Sequence, residues 1–144
     1  MFRIIVFVLF FIGCGIKTKP IYVAFNTPKL KIADQGFLKE GFGYREIVIY
    51  KAGVEPIKIT LKSNEICLNF KCVNKKAFIK SLDKGYPYDL LDRILEKKPL
   101  WFGKIIKIKD GFLQKDDRFF YKVTKDKVVF KDRAKKIVVL IKFL

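Results

Sequence analysis

From Tyr44 onward, apolar side chains recur at every second position in short runs, and between residues 74 and 98 that spacing lengthens to the period of a helix. A two-residue period that switches once and then returns restricts the chain to a sheet with helices inserted in its middle. Residues 44–51, rich in Ile, Val and Tyr, predict one strand. Residues 57–62 alternate strictly and predict a second, with Ala52-Gly53-Val54-Glu55-Pro56 as the turn between them. Residues 65–70 predict a third, with Ile66, Leu68 and Phe70 on one face.

The middle carries the start and stop signals of two helices. Asn74 suits an N-cap, Val73 and Phe78 have the spacing of a hydrophobic staple, and Gly85 is placed to terminate, which predicts a helix near 75–84. Pro87, the stripe Leu90, Leu91, Ile94 and Leu95, and a stop at Pro99 predict another over 87–98. Asp89 and Asp92 fall early in it and Lys97 and Lys98 late, so helix-end electrostatics accounts for these acids without a catalytic role. Strand spacing then resumes over 101–109, 112–115, 118–124, 127–131 and 135–143, with Asp110-Gly111 as a hairpin signal. The expected fold class is α+β, an antiparallel meander or half-open barrel with two short helices inserted mid-chain.

The 144 residues suit one domain, and 51% hydrophobic with 15% aromatic content is too apolar for disorder. The chain contains no His, which removes Ser-His-Asp and Cys-His catalysis and His-ligated metals together. No catalytic residue, cofactor or metal is expected. Gly41-Phe42-Gly43 lacks the third Gly and the Lys-Ser/Thr ending of a phosphate loop. Thirty-one basic residues against 14 acidic ones give +17. Lysines such as Lys58, Lys62, Lys104, Lys107 and Lys109 alternate with apolar residues, as on the solvent face of a half-buried sheet. The field they create suits an anionic envelope surface; scarce Arg and the lack of an RNA-recognition pattern argue against nucleic acid. Most rings of Phe119-Phe120-Tyr121, Trp101-Phe102 and Tyr86-Pro87-Tyr88 are expected in the core or at its rim.

The first fourteen residues address the protein. Met1-Phe2-Arg3 is a short positive start, residues 4–12 are an apolar run, and Gly13-Cys14 follows. Nine helical residues rise about 14 Å, too short for a hydrocarbon core about 30 Å thick. Phe11-Ile12-Gly13-Cys14 resembles the lipobox of bacterial lipoproteins. That resemblance implies cleavage before Cys14, acylation of its sulfur and amine, and, with Gly15 rather than Asp next, outer-membrane placement facing the periplasm. Two or three acyl chains make such attachment durable. The expected organisation is a signal peptide over 1–13, a lipidated N-terminus and tether over 14–36 with one strand at 20–25, and a sheet domain over 37–144.

Cys67 and Cys72 would then lie in a disulfide-permissive compartment. A straight strand between them would separate their Cα atoms by roughly 16 Å, so a bridge requires a bend. The bend is either a hairpin centred on Asn69-Phe70 or a turn leading to Asn74. The second is preferred, because the first puts Leu68 and Phe70 at a hairpin tip; without a bend the two remain free or buried thiols. Their spacing matches neither a redox Cys-x-x-Cys nor a zinc site.

The order of strands, helix pair and strands over 44–144 is similar in outline to the LolA/LolB-like lipoprotein-carrier fold, an unclosed antiparallel barrel with helices in its mouth. The resemblance is architectural and carries no site residues with it. The functional expectation is a non-enzymatic, lipid-anchored envelope protein that binds a lipid, an acyl chain or a lipoprotein on a curved sheet. The alternative is an assembly lipoprotein that scaffolds a protein complex and has no ligand cavity. An apolar cavity of at least ~300 Å³ under the helices separates the two.

Overall fold

The computed structural model describes residues 15–51 and 55–144. The expected signal segment, the lipobox-like residues 11–14 with Cys14, and the central residues of the 52–56 turn lie outside the described residues. Among the described residues, one sheet of eleven strands carries β1 (Lys17–Asn26), β2 (Lys31–Gly41), β3 (Tyr44–Ile49), β4 (Ile57–Leu61), β5 (Glu65–Leu68) and β6 (Lys71–Asn74) before the helices. Helices α1 (Lys75–Leu82) and α2 (Leu90–Leu95) follow, and then β7 (Ile106–Ile108), β8 (Gly111–Lys115), β9 (Phe119–Val123), β10 (Lys127–Asp132) and β11 (Ile137–Phe143). The spatial order runs β6-β5-β4-β3-β2-β1-β11-β10-β9-β8-β7, and the pairs are antiparallel. Two meanders therefore meet where β1 pairs β11, from Ile21↔Phe143 to Asn26↔Val138. The meander and its two inserted helices are as expected, in a chain that is mostly β.

The segment 15–36 is a correction. Instead of a tether with one strand, it supplies β1 and half of β2, which lie at the centre of the sheet. Ile21, Val23 and Phe25 point inward from β1 with ordinary alternation. In β2 the inward positions include Asp34 and Gly36, which break the apolar pattern and disguise the strand. Gly36 is required there by contact: a Cβ would lie 2.1 Å from the Val48 carbonyl oxygen of β3. Pro20 sits just before the β11 pairing begins, and its carbonyl accepts from the Leu144 N–H at 3.1 Å. Its missing N–H is therefore on the side where β11 is ending.

Both helices start later or stop sooner than their sequence signals suggest. Asn74 caps α1, its side-chain oxygen accepting from the Ala77 N–H at 3.0 Å. The helix ends at Leu82, however, and the Gly85 N–H bonds the Asp83 carboxylate at 2.7 Å. In α2, Lys97 takes the left-handed conformation usually left to Gly, at φ 57°. The Lys98 N–H then bonds the Arg93 carbonyl at 2.9 Å and the Lys97 N–H bonds Ile94 at 3.2 Å, closing a Schellman turn. The strand expected over 101–109 shrinks to β7. Buried Gln114 holds the preceding loop by accepting from the Leu100 N–H at 2.8 Å and donating to the Leu100 and Phe102 carbonyls at 3.1 and 2.7 Å.

The core lies between the helices and the inward face of the sheet. Residues of β4 and β5 and residues of β10 and β11 line one gap beneath the helices, so the sheet curls around them. Lys58, Lys62, Lys104, Lys107 and Lys109 are all exposed. On the outer face, Val48 is nonetheless fully buried at 0% exposure; it pairs with Phe37, whose ring meets Tyr50 edge-on at 5.9 Å.

Candidate functional site

Two places flank the helix pair, one closed by polar contacts and the other left partly open. The closed place is centred on Asp132 at the end of β10. Its carboxylate accepts from Arg118 Nε and Nη2 at 3.0 and 2.8 Å, from the Tyr86 hydroxyl, and from the backbone N–H groups of Ala134 and Lys135 at 3.0 and 3.2 Å. Arg118 Nη2 also reaches Asp83 at 2.5 Å. Burial alone would push Asp132 up, but its bonds from Arg118, Tyr86 and Lys135 outweigh it and hold this carboxyl below its ordinary value. The Arg118 bond does the same for Asp83. Burial and the neighbouring carboxylate push the Tyr86 phenol up, so it stays protonated as a donor. Every acceptor direction on Asp132 is taken, which suits a fastening rather than a general base.

Aromatic rings extend this fastening. Tyr86 packs against Trp101, Phe119 and Phe130, and Phe102 stacks on Phe119 at 4.7 Å. Phe102, Phe119 and Tyr121 are buried as expected, while Trp101 and Tyr88 are exposed. Asp132 was not foreseen as a site residue, because an Asp in a turn-like Asp-Arg-Ala run reads as solvent-facing. The helix acids are also accounted for: Asp92 pairs buried Lys75 at 2.9 Å and Asp89 pairs Arg93 at 2.8 Å.

The open place lies on the other side of α1. Cys67 and Cys72 sit opposite one another across the β5–β6 hairpin, with their sulfurs at bonding distance, 2.00 Å. This corrects the preferred geometry: the bend is the hairpin at Asn69-Phe70, not a turn before Asn74. Asn69 makes it possible by adopting φ 54°, accepting from the Lys58 N–H at 2.9 Å and donating to the Lys58 carbonyl at 2.8 Å. Leu68 and Phe70 are indeed left exposed, Phe70 at 99%. The Glu65 carboxylate stands near the two sulfurs, all within 4.8 Å, but bonded sulfurs hold no thiolate for a metal.

Between this hairpin, α1 and the β1–β2 turn runs an apolar groove of about 240 Å³, lined by Leu30, Ile59, Ile66, Leu68, Val73 and Phe78. Lys29 and Lys71 also border it. Thr27 holds the turn that carries Leu30, its hydroxyl accepting from the Leu30 N–H at 2.9 Å. Leu30, Ile59, Ile66 and Phe78 also border the wholly apolar gap beneath the helices, which measures only about 40 Å³. The space under the helices is thus nearly filled and falls far short of the ~300 Å³ expected for an acyl site there; the apolar volume lies at the rim instead. The larger depression of about 470 Å³ at the mouth is lined by charged groups that pair among themselves, Arg45 with Glu96 at 2.8 Å and Lys97 with the Lys125 carbonyl at 2.7 Å.

Among the described residues, no helix is long and apolar enough to cross a membrane. No known protein family, curated protein or solved structure matches this chain.

Proposed function

We propose that this chain is a lipid-anchored protein of the bacterial envelope that holds an acyl chain in the groove between α1 and the β5–β6 hairpin, without catalysing a reaction. The observation that carries this reading is the groove's chemistry. Its floor and walls are aliphatic and aromatic, it adjoins the apolar gap under the helices, and its polar neighbours Lys29 and Lys71 suit an anionic head group. A stretch of hydrocarbon lying there would cover Leu68 and Val73, which are otherwise 44% and 50% exposed. The lipidation part rests on Phe11-Ile12-Gly13-Cys14.

The nearly filled space under the helices favours the second reading, a scaffold for an envelope complex with no bound lipid. Titration with a fluorescent fatty acid separates the two. Saturable binding that Val73→Asp weakens about tenfold, roughly 1.4 kcal/mol, supports the acyl site. No binding, together with no lipid extracted from protein purified out of membranes, supports the scaffold. Cys14→Ala tests the anchor: the variant should leave the membrane fraction, and the wild-type N-terminus should carry acyl mass.

A further inference from the structure

The groove reaches the β1–β2 turn, at the opposite end of β1 from Lys17. Only Gly15 and Ile16 separate Cys14 from β1, so an acylated Cys14 would hold Lys17 within about 10 Å of the bilayer surface. The antiparallel order decides what shares that end. Lys17 pairs Glu40, which brings the Phe42-Gly43 turn beside it, and Phe143 pairs Ile21, which brings the Lys125-Asp126 turn to the same rim. The β1–β2 turn lies at the other end, about 33 Å away along β2, and the Asn69-Phe70 hairpin lies between, level with Phe37 through Lys58 and Val48 and about 13 Å along β2 from Gly41.

The near rim is built for an interface. Phe42 is 101% exposed between two glycines, in a turn that Gly43 closes at φ 78°, and Ile16 is 58% exposed. Lys17, Lys19, Lys62, Lys125 and Lys127 are exposed around them, against Glu40 and Asp126. We infer that this rim lies on an anionic bilayer, with the Phe42 ring among the acyl-chain ends nearest the head groups and the lysines among the lipid phosphates. An aromatic ring with no protein neighbour has its apolar surface to gain there, and each lysine gains from the negative surface potential. This placement rests on acylation of Cys14. It also turns the groove away from the membrane that holds the protein.

Trp101, which packs on Tyr86 and Phe119 toward the far end, is a built-in control. The full chain, processed in a bacterial host, is reconstituted into phosphatidylethanolamine–phosphatidylglycerol vesicles that contain lipid brominated near the head group. Phe42→Trp should add fluorescence that loses more than half its intensity to the bromines. Phe70→Trp, at an intermediate height, should lose less than half as much, and native Trp101 under a tenth. Equal quenching of the two added tryptophans, or stronger quenching of Phe70→Trp, overturns the inference when the N-terminal mass shows acylation. An unacylated N-terminus overturns the lipidation reading itself and this placement with it. Both substitutions are in exposed turns, and a matching circular-dichroism spectrum checks that the fold is retained.

Discussion

The two sides of the helix pair are held in opposite ways. Toward β9 and β10, the loop between the helices is fastened by Asp83, Tyr86, Arg118 and Asp132 and by a cluster of stacked rings. Toward β5 and β6, α1 is held at its first turn by the Asn74 cap and the Lys75 N–H bond to the Asn64 carbonyl at 2.8 Å, and beyond that turn it faces a groove lined mostly by apolar side chains. The contrast teaches where this fold can open. Lifting the later turns of α1 from the groove exposes chiefly apolar contacts, whereas displacing the 83–86 loop takes the Tyr86 hydroxyl from buried Asp132 and Asp83 from Arg118.

Removing the fastening should be the larger blow. Asp132→Ala leaves the buried Tyr86 hydroxyl without its acceptor and Arg118 with Asp83 alone, and urea unfolding should show a loss of about 3 kcal/mol. If the loss is no greater than that of an exposed substitution, the two sides are equivalent and the contrast fails. Acid should reproduce part of this effect without mutation. Asp132 and Asp83 have folded-state values below their ordinary ones, so their stabilisation is complete above about pH 4 and is lost as pH falls further. The melting temperature should therefore drop on acidification below that point, and drop less steeply in Asp132→Ala. Reducing the Cys67–Cys72 pair should have the smallest effect. It closes a very short loop, so reduction should cost about 2 kcal/mol or less, with faster amide exchange confined to β5 and β6. Exchange that spreads to β9 and β10 would show that the sides are coupled.

Much of the secondary structure was legible locally. The two-residue alternation located β3, β4, β5 and the strands after 111, and Asn74 marked the start of α1 to the residue. The misses share a cause. Asp34 and Gly36 hid β2 because a strand can place a short or polar residue inward when its neighbour approaches closely. Lys97 ended α2 before the expected stop at Pro99 because the bonds of Lys97 and Lys98 to α2 hold the left-handed turn. Of the candidate site, the apolar residues were visible as a strand face and a helix stripe. Their arrangement around a groove was not, since nothing in the pattern of 65–74 distinguishes a hairpin at Asn69 from a turn four residues later.

By itself the sequence determined the antiparallel, mostly β character, the single helical interruption, the exposed lysine face and the lack of any His-based chemistry, because each follows from residue type or spacing within about ten positions. Only the tertiary structure decided that β1 and β2 form the middle of the sheet, that Asp132 is buried, and that a groove opens between α1 and the β5–β6 hairpin. Each of these depends on contacts between distant segments, above all Ile21 with Phe143. Local periodicity says which face a residue presents; it does not say which strand will come to meet it.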